Sequence, residues 1–150
     1  MKNEIRLQRA WGPDVEGEVL LFSEGFSPRY DLDRWSGVIS RIGHSLEGQS
    51  IVGKILVIPT VKGGVAGGWA FLDLLHKGIA PKALVFGRLN PVMVQGAVLA
   101  GIPIADGWDR EPTEYLRSGD RVQLCPSQRL LRAPAVTERA AASQLAVGPI

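Results

Sequence analysis

Residues 60–68 read Thr60-Val61-Lys62-Gly63-Gly64-Val65-Ala66-Gly67-Gly68, a run that combines several features of anion-binding loops. Glycine fills four of the six positions from 63 to 68, so the backbone can approach a ligand with no Cβ in the way. Lys62 adds a mobile cation. A helix starting just after the run would turn its unpaired N–H groups and positive dipole end toward the same space. Lys62, Gly63, Gly64, Val65, Ala66, Gly67 and Gly68 are therefore candidates to hold a carboxylate or a phosphate. A tight packing turn would need the same small residues. The run is not a P-loop, which ends in Gly-Lys-Ser/Thr, and it does not fit Gly-x-Gly-x-x-Gly.

Other chemistry-bearing residues are few. His44 precedes a turn and His76 closes a helical segment, where it can meet the C-terminal dipole; both read as structural. No His/Cys/Asp cluster has metal-ligand spacing, and no Ser/His/Asp arrangement is legible. Residues 25–36, with Phe26, Tyr30 and Trp35 among Arg29, Asp31, Asp33 and Arg34, read as an exposed loop that could cover a ligand or meet a partner. Cys125 is the single cysteine, so there is no internal disulfide, and this chain alone cannot ligate an iron–sulfur cluster. It reads as a packed core residue.

The elements that would position the glycine run are short. Residues 53–58 form a strand covered on both faces, ended by Pro59. A largely buried helix runs from Trp69 to Lys77 and stops at Gly78. Residues 83–87 form another buried strand. Asn90-Pro91 opens a second helix that Gly101 closes. Residues 17–22, 102–104 and 121–125 read as further strands, and 112–118 as a small helix. The order points to an α/β or β/β/α domain over 1–131. Residues 132–150 read as an Ala-rich C-terminal tail, loose or laid on a partner.

The 150 residues suffice for one domain with a real core. With 17 basic and 15 acidic residues the net charge is +2, too small to argue for nucleic acid. No apolar run reaches the roughly 18 residues of a membrane span. The opening Met-Lys-Asn-Glu-Ile-Arg lacks the apolar stretch of a signal peptide. A soluble cytoplasmic protein is expected.

Several spaced motifs occur in a familiar order. They are Gly37-Val-Ile, then His44-Ser-Leu46-Glu-Gly48, then Gly53-Lys54-Ile-Leu-Val-Ile-Pro59, the glycine run, Gly78-Ile-Ala-Pro81 and Gly119-Asp120-Arg-Val122. Across about residues 10–132 the chain resembles the small subunit, or swivelling domain, of the aconitase X family. The resemblance implies a swivelling β/β/α domain with a barrel-like sheet and flanking helices. It implies a large-subunit partner that carries an iron–sulfur cluster, with no cofactor on this chain. It also implies a hydro-lyase that dehydrates a small hydroxy acid, such as a hydroxyproline or a phosphomevalonate-like substrate, in a site shared by both subunits.

The chain departs from the family pattern where chemistry is expected. The family loop reads Pro-x-Gly-Arg-Gly-Ser, and its serine is the expected proton acceptor. Here Lys62 stands at the arginine and Gly64 at the serine, so the base is not transferable to this chain. Three explanations stay open. The partner supplies the base; or Thr60 or Ser27 reaches the site; or the chain is a diverged paralogue with altered lyase or isomerase chemistry, or a non-catalytic assembly or regulatory subunit.

Overall fold

The computed structural model describes residues 3–28, 30–60, 65–88 and 91–133. Seven strands close a barrel: β1 (Asn3–Trp11), β2 (Val15–Leu21), β5 (Ile55–Thr60), β6 (Ala83–Arg88), β7 (Ile104–Trp108), β8 (Arg121–Cys125) and β9 (Leu130–Ala133). Their order around it is β1-β7-β6-β5-β2-β8-β9, and β9 pairs back onto β1. Two-residue strands β3 (Leu32–Asp33) and β4 (Val38–Ile39) pair separately. The strands β2, β5, β6 and β7 are mutually parallel, and two helices, α1 (Val65–His76) and α2 (Pro91–Ala100), cross over between them. The expected barrel-like sheet with flanking helices is the observed fold.

The apolar runs of β5 and β6 follow from burial on both faces. Ile55, Val57, Ala83 and Val85 point into the barrel with Ile5, Val19, Leu124 and Leu131. Leu56, Ile58, Leu84 and Phe86 point the other way, into a second core with Phe71, Leu74, Met93 and Ala97 of the helices. A strand between two cores has no polar face to alternate with.

Both helices end as their glycines predict. Gly78 and Gly101 have φ of +74° and +70°. The Gly78 N–H donates to the Leu75 carbonyl and the Ile79 N–H to that of Leu74; Gly101 and Ile102 do the same toward Val98 and Ala97. These bonds satisfy the last carbonyls in a left-handed cap that disfavours any residue with a Cβ.

Several boundaries differ from the sequence expectation. Helix α1 starts at Val65, four residues early, because packing against α2 outweighs the roughly 1 kcal/mol that each helical glycine costs. Pro59 lies inside β5; pairing with β2 stops at Val57, so no ladder donor is needed from it. β7 begins at Ile104, and the small helix shrinks to a single 3-10 turn over Pro112–Glu114. Leu75 is 43% exposed, so the apolar face of α1 is narrower than its composition suggests. Arg132 and Ala133 are the last residues of β9; residues 134–150 lie outside the described residues.

Gly87 is required for space. A Cβ there would sit 2.7 Å from the Pro59 carbonyl oxygen and 2.7 Å from the Trp108 ring. A methyl group cannot fit between a backbone oxygen and an indole without moving a strand. Gly87→Ala should therefore lower stability by about 1–3 kcal/mol, the usual cost of overpacking. Thermal unfolding of the variant checks this; an unchanged midpoint would show that β7 gives way freely.

Candidate functional site

The parallel strands place their carboxyl ends together, and ligands of such sheets bind outside those ends. The segment after β2, the connection from β5 to α1 and the connection from β6 to α2 all leave from this edge. Thr60 ends β5 and Arg88 ends β6, and the two are register partners. Side chains alternate along a strand, so both follow Leu56, Ile58, Leu84 and Phe86 onto the helix-covered face. Both are exposed. Beneath them Phe86 and Ile58 are fully buried.

The predicted site residues divide at this edge. Val65, Ala66, Gly67 and Gly68 form the first turn of α1 rather than a loop, so their backbone N–H groups include the unpaired donors of a helix start. Lys62, Gly63 and Gly64 lie outside the described residues, as do Arg29 and Asn90. Ser27 is 2% exposed, and its hydroxyl accepts from the Tyr30 N–H at 3.4 Å, which turns it into the loop. Of the two hydroxyls considered as substitutes for the family serine, only Thr60 is on the surface. Arg88 went unnoticed in the sequence. Its signal was available: a lone cation ending an apolar strand two residues before Asn90-Pro91.

Residues 25–36 are only in part the exposed loop their charge suggests: Tyr30 and Asp33 to Ser36 are exposed, whereas others are not. Phe26, Asp31 and Leu32 are buried, Asp31 completely. The Asp31 carboxylate takes the Ser27 N–H at 2.9 Å and the Arg41 guanidinium at 3.0 Å. Its own carbonyl accepts from Ser40 and Arg41 N–H. One buried carboxylate thus ties both ends of the segment together. Asp31→Ala should cost about 1–3 kcal/mol, the penalty for leaving a buried donor without its acceptor. Amide exchange should report the loss first at Ser27; uniform protection across the segment would contradict it.

Further along, Trp35 is 80% exposed and is held against α1, with the Lys77 ammonium 3.9 Å from its ring centre. Lys77 also bonds Asp73 at 2.8 Å and so keeps that carboxyl below its ordinary range. The Trp35 N–H and then the Ser36 hydroxyl do the same for Asp33.

The His44 side chain is buried, and its Nδ1 accepts the Leu46 N–H at 3.0 Å. The Glu24 carboxylate lies 3.6 Å from the same nitrogen. His76 is exposed in the last turn of α1. Cys125 is buried, and burial pushes its thiol above the ordinary range, with Asp14 adding to the effect. Among the described residues no three His, Cys, Asp or Glu side chains gather as metal ligands. The residues described do not fit an iron–sulfur cluster. No helix among them is long and apolar enough to cross a membrane.

A separate cavity of about 180 Å³ lies between β1, β7 and α2, lined by Arg9, Trp11, Val94, Ile104 and Asp106 among others. Its charges are spent on each other. Arg9 Nε and Nη2 meet the two Asp106 carboxylate oxygens at 3.0 and 2.7 Å, which holds the guanidinium more firmly protonated.

Comparison with known proteins agrees with the fold. The family model of the aconitase X swivel domain matches residues 4–132. The phosphomevalonate dehydratase small subunit of Methanosarcina acetivorans is 35% identical over 76% of this chain and 79% of its own length. That of Thermococcus onnurineus is 33% identical over 85% and 96%. The crystal structure of Thermococcus kodakaraensis aconitase X in its holo-form superposes with a TM-score of 0.81 at 28% identity, covering 89% of this chain and 99% of that one. The chain belongs to the aconitase X swivel-domain family.

Proposed function

We propose that this chain is the small subunit of an aconitase X-type hydro-lyase that removes water from a small hydroxy acid. The observation that carries the reading is family membership over residues 4–132 together with relatives named phosphomevalonate dehydratase small subunit. In this reading the chain is cytoplasmic and works with a large subunit that holds an iron–sulfur cluster. Such a cluster, when bound there, would supply a Lewis acid for the leaving hydroxyl. This chain's task is to bind and orient the substrate's acidic group. Lys62 supplies charge, and the backbone of Gly63, Gly64, Val65, Ala66, Gly67 and Gly68 supplies N–H donors at the start of α1. With Gly64 at the family's serine position and Ser27 buried, the proton acceptor is left to the partner or to Thr60, which is on the surface.

Gly64 also favours a second reading, a paralogue with altered lyase or isomerase chemistry or a non-catalytic assembly subunit. The test is co-expression with a large subunit, anaerobic purification, an absorption spectrum and a panel of hydroxy acids. The panel includes phosphomevalonate and cis-3-hydroxy-L-proline. A brown complex that dehydrates one of them supports the first reading. A brown complex that dehydrates none supports the second. Absence of any complex would undo the partner assignment itself.

A further inference from the structure

We infer that Arg88, with Thr60 beside it, forms a fixed anion clamp that recognises the carboxylate or phosphate of the substrate. The inference rests on the reading of this chain as the substrate-orienting half of a hydro-lyase and adds to it a residue outside the glycine run. The geometry is specific. β5 and β6 are adjacent and parallel, and Thr60 and Arg88 are partners at the last rung of their ladder. Side chains at such a pair stand on the same face, about 5 Å apart at the backbone. A guanidinium offers two parallel N–H donors to a carboxylate or phosphate, and a neighbouring hydroxyl adds a third donor.

The platform is rigid where a clamp needs it. Gly87 is wedged between the Pro59 carbonyl and the Trp108 ring, which fixes the backbone immediately before Arg88. Phe86 and Ile58, one step down the same face, are locked in the helix-side core. Preorganisation of this kind reduces the ordering cost of binding. By contrast Arg9 and Arg41 lie against the carboxylates of Asp106 and Asp31, and Arg121 against that of Glu16. An acidic ligand would have to displace those carboxylates.

The test uses the full chain labelled with nitrogen-15 and titrated with inorganic phosphate in one arm and acetate in the other. The expected result is a saturable shift of the Thr60 and Arg88 amides and of the Arg88 Nε. The apparent affinity should fall about tenfold or more in Arg88→Gln, as expected for loss of a charge-assisted bond, with partial retention in Arg88→Lys. Arg121→Gln serves as the control and should bind as the native chain does. The more strongly binding anion identifies which acidic group the clamp takes. Absence of saturable shifts at these residues, or equal affinity in native and Arg88→Gln chains, overturns the inference. The titration decides this whether or not the assembled complex dehydrates anything. An active complex whose Arg88→Gln form keeps its KM would reject the clamp and leave the hydro-lyase reading intact. An inactive complex with a working clamp would do the reverse.

Discussion

Replacing Phe86 with alanine should lower the unfolding free energy by about 3–5 kcal/mol, the range for deleting a buried phenyl ring. Phe86 is 1% exposed and faces the helices from the middle of the sheet, among Ile58, Met93 and Ala97. The space it leaves cannot collapse easily, because β5 and β7 flank β6 on both sides. Two residues on, Arg88 is exposed, and Arg88→Gln should change stability by no more than about 0.5 kcal/mol. Urea denaturation of both variants separates the two roles. A loss below about 1 kcal/mol for Phe86→Ala would mean that the helix layer is held loosely. A large loss for Arg88→Gln would mean that Arg88 is structural.

The isolated chain should dehydrate no hydroxy acid above about one part in 10⁴ of the rate of the assembled complex. That factor combines the absence of a positioned base, worth roughly 10²–10⁴, with the absence of leaving-group activation. Among the described residues there is no metal-ligand cluster, and neither His44 nor Ser27 faces solvent with a free proton acceptor. Steady-state assays of the chain alone, of the large subunit alone and of the mixture test the expectation. Appreciable turnover by the chain alone would contradict it. A further variant locates the base. If the partner supplies the proton acceptor, Gly64→Ser should alter the complex's turnover by less than about tenfold. A gain of 10² or more would place the missing base in this chain after all.

The legibility of the fold tracked how much of each element's burial its own residues record. β5 and β6 were plain because two cores demand apolar residues at every position. The helix ends were plain because Gly78 and Gly101 are capping residues with a left-handed backbone. β1 was missed, although Ile5 and Leu7 point inward between Glu4, Arg6 and Gln8, because two apolar residues among charges are a weak period-two signal. β9 was lost at the edge of an Arg- and Ala-rich stretch. The burial of Asp31 was not legible: its neighbours Arg29, Asp33 and Arg34 suggest solvent, and the Arg41 guanidinium that meets its carboxylate is ten residues away. In the site, the glycines were legible as backbone freedom but were read as loop where the chain makes helix. Arg88 was overlooked because register, which puts it beside Thr60, is a property of two strands and not of one.

The seam between β1 and β9 ties Asn3 to Ala133 and Arg6 to Leu130. During synthesis this makes barrel closure the last event. Until Leu130–Ala133 has been made, β1 and β8 each present an open edge, and the interior-facing Ile5, Leu7 and Leu124 lack Leu131 above them. An open edge of that kind invites pairing with another chain. The outward-facing Glu4 and Arg6 at this end of β1 blunt that hazard, so the charges that hid the strand from view also protect it while it waits for its neighbour.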